Sequence, residues 1–268
     1  MGDETELRYL QILIEPIRVC ASYRPKMGKG AAGLNLEAFQ ALYRADPFYA
    51  WYGLDHPLMY AAHKAAGGMT SIYRQVGIGA ERLFRQLLQD YLGLSIIQSS
   101  WSYEVNSLSG TPRTLYLDAR IELADVVDDT KRRRVREWMN AAADDLGVAP
   151  QIRDSLKGIV FEVRQGYKSK DSKRQNADIA NAGTAYAQAF LPCLVVLSAQ
   201  IDSDVLIRYR AGGWTILTGT VADASPLRST YAFMRDVIGF DLEQFFVRSS
   251  ATLRTEVESV LQALLAAK

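Results

Sequence analysis

Apolar positions recur with a helical period at both ends of the chain and with a strand period in the middle. Leu7, Leu10, Ile14 and Ile17 predict an opening helix that kinks or stops at Pro16. Met27–Asn35 reads as a loop and Leu36–Tyr43 as a helix. An aromatic, turn-rich stretch then leads into a helix that ends at Gly67-Gly68. A further helix follows Gly77 and Gly79, with Leu83, Phe84, Leu87, Leu88, Tyr91 and Leu92 on one stripe and Gly93 closing it.

Strand patterning begins at Ser99–Val105. From Pro112 to Leu123, the apolar residues Leu115, Leu117, Ala119, Ile121 and Leu123 alternate with Tyr116, Asp118, Arg120 and Glu122, which predicts one long strand. Asp129–Leu146 is an amphipathic helix, Gly158–Gln165 a strand, and Ser172–Phe190 a helix capped by Ser172. Leu191–Ile201 is a nearly continuous apolar strand of the kind buried on both faces. Val205–Tyr209 and Trp214–Leu217 read as a hairpin about Gly212-Gly213. The last forty residues are helical, with Leu253, Val257, Val260, Leu261, Leu264 and Leu265 on one stripe that suits a core or a dimer seam. The resulting fold class is α/β (α+β): a mixed central β-sheet flanked by helices, with a helical N-terminal part and C-terminal helices. Residues 1–95 form the helical part and 96–268 the core; no linker or composition break divides them, so the chain reads as one compact unit.

Composition narrows the chemistry. The 268 residues carry 31 Lys and Arg against 30 Asp and Glu, and 49% are hydrophobic, which is ordinary for a globular protein. No run approaches the length of a membrane span, and the acidic N-terminus lacks the layout of a signal peptide, so a cytoplasmic protein is expected. Cys20 and Cys193 are far apart in apolar runs and read as buried free thiols. With His56 and His63 as the only histidines, neither a zinc site nor a Ser-His-Asp hydrolase is expected. The crowded aromatics Phe48, Tyr49, Trp51, Tyr52 and Tyr60 are expected to pack between helices, with base stacking as the alternative.

Two carboxylates stand out. Asp118 and Glu162 each sit mid-strand among apolar neighbours, a costly place unless paired or holding a cation. On neighbouring strands they would converge into an oxygen site suited to Mg²⁺. Strand alternation puts Val160, Glu162 and Arg164 on one face. From Arg164 to Arg174 there are five cations and one acid, a local balance of +4 suited to a phosphodiester. Lys131, Arg132, Arg133, Arg134 and Arg136 are a second basic run, read as a solvated helix face or as phosphate contacts.

These residues resemble the PD-(D/E)XK nucleases, and the chain resembles a type II restriction endonuclease over roughly residues 78–201. The resemblance implies Mg²⁺ held by Asp118 and Glu162, with Glu81 as the further acid carried on the helix before the sheet. Arg164 stands where the family carries a lysine and Leu117 where it often carries proline; Lys168 could supply the amine. It further implies hydrolysis of double-stranded DNA leaving 5′-phosphates, by a homodimer matched to a palindromic site. Lys170, Lys173, Arg174, Gln175, Asn176, Arg74 and Gln75 are the DNA-contact candidates. The alternative is a non-catalytic nucleic-acid-binding protein with an inactivated nuclease fold.

Overall fold

The computed structural model describes residues 3–27, 33–106, 112–166 and 172–266. In chain order the elements are α1 (Asp3–Arg18), α2 (Leu36–Arg44), α3 (Pro47–Trp51), α4 (Pro57–Leu92), β1 (Trp101–Asn106), β2 (Pro112–Leu117), β3 (Ala119–Glu122), α5 (Asp129–Asp145), α6 (Pro150–Ser155), β4 (Gly158–Arg164), α7 (Ser172–Ala187), β5 (Phe190–Val196), α8 (Ser203–Ala211), β6 (Thr215–Leu217), α9 (Thr230–Phe233) and α10 (Leu242–Leu265). A π-helical turn, Met234–Ile238, extends α9. Among the described residues no helix is long and apolar enough to cross a membrane. The chain divides into two compact units, 1–79 with 247–268, and 80–246.

The first unit is helical. Ile17, Cys20, Ile72, Val260 and Leu264 form one of its apolar clusters, so the C-terminal stripe contributes Val260 and Leu264 to a core while Leu265 is exposed. The glycines expected to end helices do not: α4 runs unbroken from Pro57 to Leu92. Their role is close approach. A Cβ on Gly67 would meet the Tyr23 ring, one on Gly68 would meet the Leu264 methyls at 2.6 Å, and one on Gly79 would press on the Leu13 backbone at 3.3 Å. Pro16 likewise sits inside α1, two residues before its end. The aromatic crowding also differs from expectation. Tyr60 is buried, but Phe48, Tyr49, Trp51 and Tyr52 are exposed, because α3 is a short helix that buries none of its residues.

The second unit is a mixed sheet flanked by helices. Its order is β3-β4-β5-β6, with β3 antiparallel to β4 and the other pairs parallel. Phe161 on β4 meets Phe84 of α4 and Phe233 of α9 on one face. Val160 and Leu194 face the other way and pack with Ala182 and Ala185 of α7, Val205 and Tyr209 of α8, and Trp101 and Tyr103 of β1. The long alternating strand is broken at Asp118. β2 pairs with β1 in a separate two-stranded sheet, and β3 pairs with β4. Alternation survives the break because Leu117, Ala119 and Ile121 are all buried.

The hairpin expected over 205–217 is instead a helix followed by a parallel strand. Asp202 caps α8 by accepting from the Asp204 N–H, and Val205 and Tyr209, four residues apart, bury one helical face. Gly213 takes a positive φ of 82°, turning the chain into β6 beside β5. This makes β5-α8-β6 a parallel crossover, with too few strand residues for alternation to register. α7 also ends earlier than its sequence stripe suggests, at Ala187, since Phe190 already opens β5.

Candidate functional site

Asp118 and Glu162 are 44 positions apart in the sequence, and the chain between them folds away as α5 and α6. That leaves β3 and β4 free to pair, with Ala119 opposite Phe161; one step further along this register, Asp118 stands opposite Glu162. The Asp118 N–H donates to the Phe161 carbonyl at 2.9 Å. Its carboxylate Oδ2 accepts from the Val163 N–H at 2.7 Å, taking a ladder bond where β2 has left the sheet.

Arg164 joins the two acids. Its Nη2 donates to Glu162 Oε1, and its Nη1 lies 3.9 Å from Asp118 Oδ2. All three side chains are largely withdrawn from solvent, Glu162 most of all at 5% exposure. Glu81 approaches Asp118 from α4 and is tied to Arg85, one helical turn on, at 3.2 Å. Arg85 Nε in turn donates to the Asp118 carbonyl at 2.7 Å. Burial, and next the Glu81 charge, push the Asp118 carboxyl up to about 6, against the Val163 hydrogen bond and the Arg164 and Arg85 charges. Withdrawal from solvent is thus the first cause of the shift, and the neighbouring acid adds to it.

Mg²⁺ takes one or two carboxylates and keeps waters and phosphate oxygens for its remaining positions. The pair Asp118 and Glu162 fits such a donor set, with Arg164 as a fixed neighbour. Among the described residues there is no group of three or more His, Cys, Asp or Glu placed to hold a metal.

A cleft of about 680 Å³ opens beside Asp118. Its wall includes Glu81, Arg85, Asp118, Trp101 and Phe190, and its rim includes Ile96, Ile97, Tyr116 and Lys157. Lys157 Nζ stands 4.8 Å above the Phe190 ring and 3.6 Å from Glu122. Glu162 and Arg164 do not line this cleft, so cleft and acid pair meet at Asp118.

Of the remaining candidates, Lys168 and Lys170 lie outside the described residues. Lys173, Arg174, Gln175 and Asn176 fall in the first turns of α7, but their side chains are likewise outside the description. Arg74 is exposed and Gln75 half-buried on α4, in the first unit. Arg85 and Lys157 were not singled out from the sequence. Arg85 had a signal in its spacing of four from Glu81; Lys157, before the Gly158 strand, had none.

The second basic run serves the fold for the most part. Lys131 donates to the Tyr91 carbonyl, Arg132 to Val126 and Arg134 to Ile238, while Arg133 and Arg136 are exposed. Cys20 and Cys193 are free and buried. His56 accepts from the Leu58 N–H at the start of α4, and His63 contacts the Tyr43 hydroxyl at 3.4 Å. No family model, no curated protein and no solved structure matches the chain.

Proposed function

We propose that the protein is a Mg²⁺-dependent endonuclease of double-stranded DNA, with a restriction-endonuclease-like core and the organisation of a cytoplasmic, homodimeric type II restriction enzyme. One observation carries the reading: two carboxylates far apart in sequence meet where β3 pairs with β4, Asp118 just before β3 and Glu162 within β4, both largely withdrawn from solvent and bridged by an arginine, at the edge of a helix-flanked mixed sheet. A bound Mg²⁺ would supply positive charge to the phosphate and a more acidic water. Asp118 and Glu162 hold that position. Arg164 is permanently charged, so it stabilises developing negative charge rather than accepting a proton. Arg85 fixes the Asp118 backbone from α4. The dimer would present two such sites to the two strands of a palindromic duplex.

The identity of Arg164 favours one other reading, a DNA-binding protein that has lost catalysis, because a permanently charged guanidinium stands where the family carries a lysine. Incubation of purified protein with several phage and plasmid DNAs decides between them. Discrete fragments that require Mg²⁺, vanish with EDTA and vanish in both Asp118→Ala and Glu162→Ala support the nuclease. Tight, salt-sensitive binding without cleavage by all three proteins supports the binding protein. Cleavage that persists in both variants places the chemistry elsewhere.

A further inference from the structure

The turn between α4 and β1 exposes two adjacent isoleucines, Ile96 at 72% and Ile97 at 83%. Isolated apolar residues on a surface are ordinary, but these two adjoin Tyr116, itself 70% exposed, around the mouth of one cleft. The turn is also held unusually firmly for one that buries neither isoleucine. Ser99 and Ser100 hydroxyls both donate to the Ile96 carbonyl, at 3.1 and 2.7 Å. The Ser99 N–H closes on the Ser95 carbonyl at 3.0 Å, and the Ser95 N–H donates to Gln98 Oε1 at 2.9 Å. Gln98 is then clamped from outside the turn, its amide donating to Asp125 and its carbonyl accepting from Arg120 Nε at 3.0 Å. A rigid apolar tip presents its side chains without a large ordering cost on binding.

The cleft behind this tip is about 680 Å³. That volume suits a small-molecule-sized unit and is far below what a duplex about 20 Å across would need. Its lining is apolar at Trp101 and Phe190, whose rings are otherwise buried in the core, with the half-exposed Lys157 ammonium for an anionic group. Apolar wedges that enter between base steps, and pockets that take the displaced base between apolar walls, obey the same geometry.

We propose that the cleft beside Asp118 receives one unstacked nucleotide of the DNA strand, and that Ile96 and Ile97 are the wedge that opens the stack at its mouth. The inference rests on the nuclease reading and specifies the form in which substrate reaches the site. The wedge and the cleft belong to one compact unit, and the acid pair adjoins the cleft through Asp118, so a displaced nucleotide would bring its flanking phosphates toward the carboxylates.

The test uses duplexes carrying 2-aminopurine, whose fluorescence rises several-fold when the base leaves the stack. The probe is placed at and around the cleavage site found above, and Ca²⁺ replaces Mg²⁺ so that binding is read without cutting. The expected result is a several-fold rise with the wild-type protein at one or two positions, lost in Ile96→Ser/Ile97→Ser. That variant should still bind duplex within about tenfold of wild type, since both side chains are exposed and their replacement leaves the fold intact. Its cutting of intact duplex should fall at least tenfold and recover on duplexes with a mismatch at the responsive step, where unstacking is already cheap. Magnesium-dependent cutting with no fluorescence rise at any position overturns the wedge and leaves the nuclease standing. No binding or cutting of any DNA removes both. A double variant that instead changes the oligomeric state assigns the isoleucines to a protein interface and overturns the proposal.

Discussion

The Asp118 carboxylate accepts a hydrogen bond from the Val163 N–H at 2.7 Å, across the corner where one continuous sequence strand divides between two sheets. The bond fixes the first acid of the candidate site to the strand that carries the second. It also commits an ionisable group to a buried corner, and this has a measurable cost.

Burial and Glu81 raise the folded-state pKa of Asp118 to about 6, above the ordinary value of about 3.9 for an unfolded chain. Between those two values the folded protein holds a proton that the unfolded chain lacks. The contribution of this group to stability is therefore greatest at low pH, falls as pH rises from about 4 to about 6, and is constant above. Asp118→Asn keeps an oxygen for Val163 and removes the charge. It should raise stability at pH 7.5 by up to roughly 3 kcal/mol, with little change at pH 4, and abolish Mg²⁺-dependent cutting. Urea unfolding at the two pH values checks it; an Asn variant less stable than wild type at pH 7.5 would contradict the assigned cause.

Arg164 makes the converse case. It donates to the buried Glu162 and lies beside Asp118, and breaking a buried pair from one side costs up to about 3–5 kcal/mol. Arg164→Ala should therefore melt well below wild type. If the two acids hold a divalent cation, millimolar Ca²⁺ should raise the melting temperature of Arg164→Ala more than that of wild type, because the ion replaces the missing charge. Arg164→Lys should fall between, keeping the charge while losing the planar fork. Equal Ca²⁺ shifts in all three proteins would argue against a metal between these carboxylates.

Much of this arrangement was legible in the sequence, for identifiable reasons. Asp118 and Glu162 were visible because a carboxylate amid strand alternation is expensive, and that signal does not depend on knowing which strands pair. The bend at Asp118 was hidden because Leu117, Ala119 and Ile121 keep one alternation while the backbone changes sheets. The helix α8 was hidden because Val205 and Tyr209 satisfy both a strand face and a helix turn. Exposure of the aromatics near α3 was not readable either, since composition does not report whether another layer covers a short helix.

The glycines of α4 separate packing from propensity. Gly77 lies in mid-helix with open space where a Cβ would go, so Gly77→Ala should stabilise by about 0.5–1 kcal/mol through backbone entropy alone. Gly68 is buried against Leu264, whose methyls would lie 2.6 Å from a new Cβ. Gly68→Ala should destabilise by about 1–3 kcal/mol despite the better helix former. Thermal unfolding of both variants distinguishes them by sign, and two stabilising substitutions would mean that Gly68 is not a close-packing position.

The basic run of α5 divides in the same way between fold and solvent. Lys131 reaches the Tyr91 carbonyl at 2.6 Å, in the last turn of α4, where unpaired carbonyls and the helix dipole favour a cation. Lys131→Met preserves the aliphatic stem and removes that partner, so it should cost about 1 kcal/mol of stability. Arg133 and Arg136 are exposed, and their alanine variants should lie within about 0.5 kcal/mol of wild type. DNA affinity separates the two roles further. A cation that meets phosphate releases a counterion, so its loss lowers the slope of log affinity against log salt by about one. Lys131→Met should leave that slope unchanged, because its ammonium is held by protein. A reduced slope in Arg133→Ala/Arg136→Ala would extend the DNA track along α5, and an unchanged one would leave these two arginines as solvated surface.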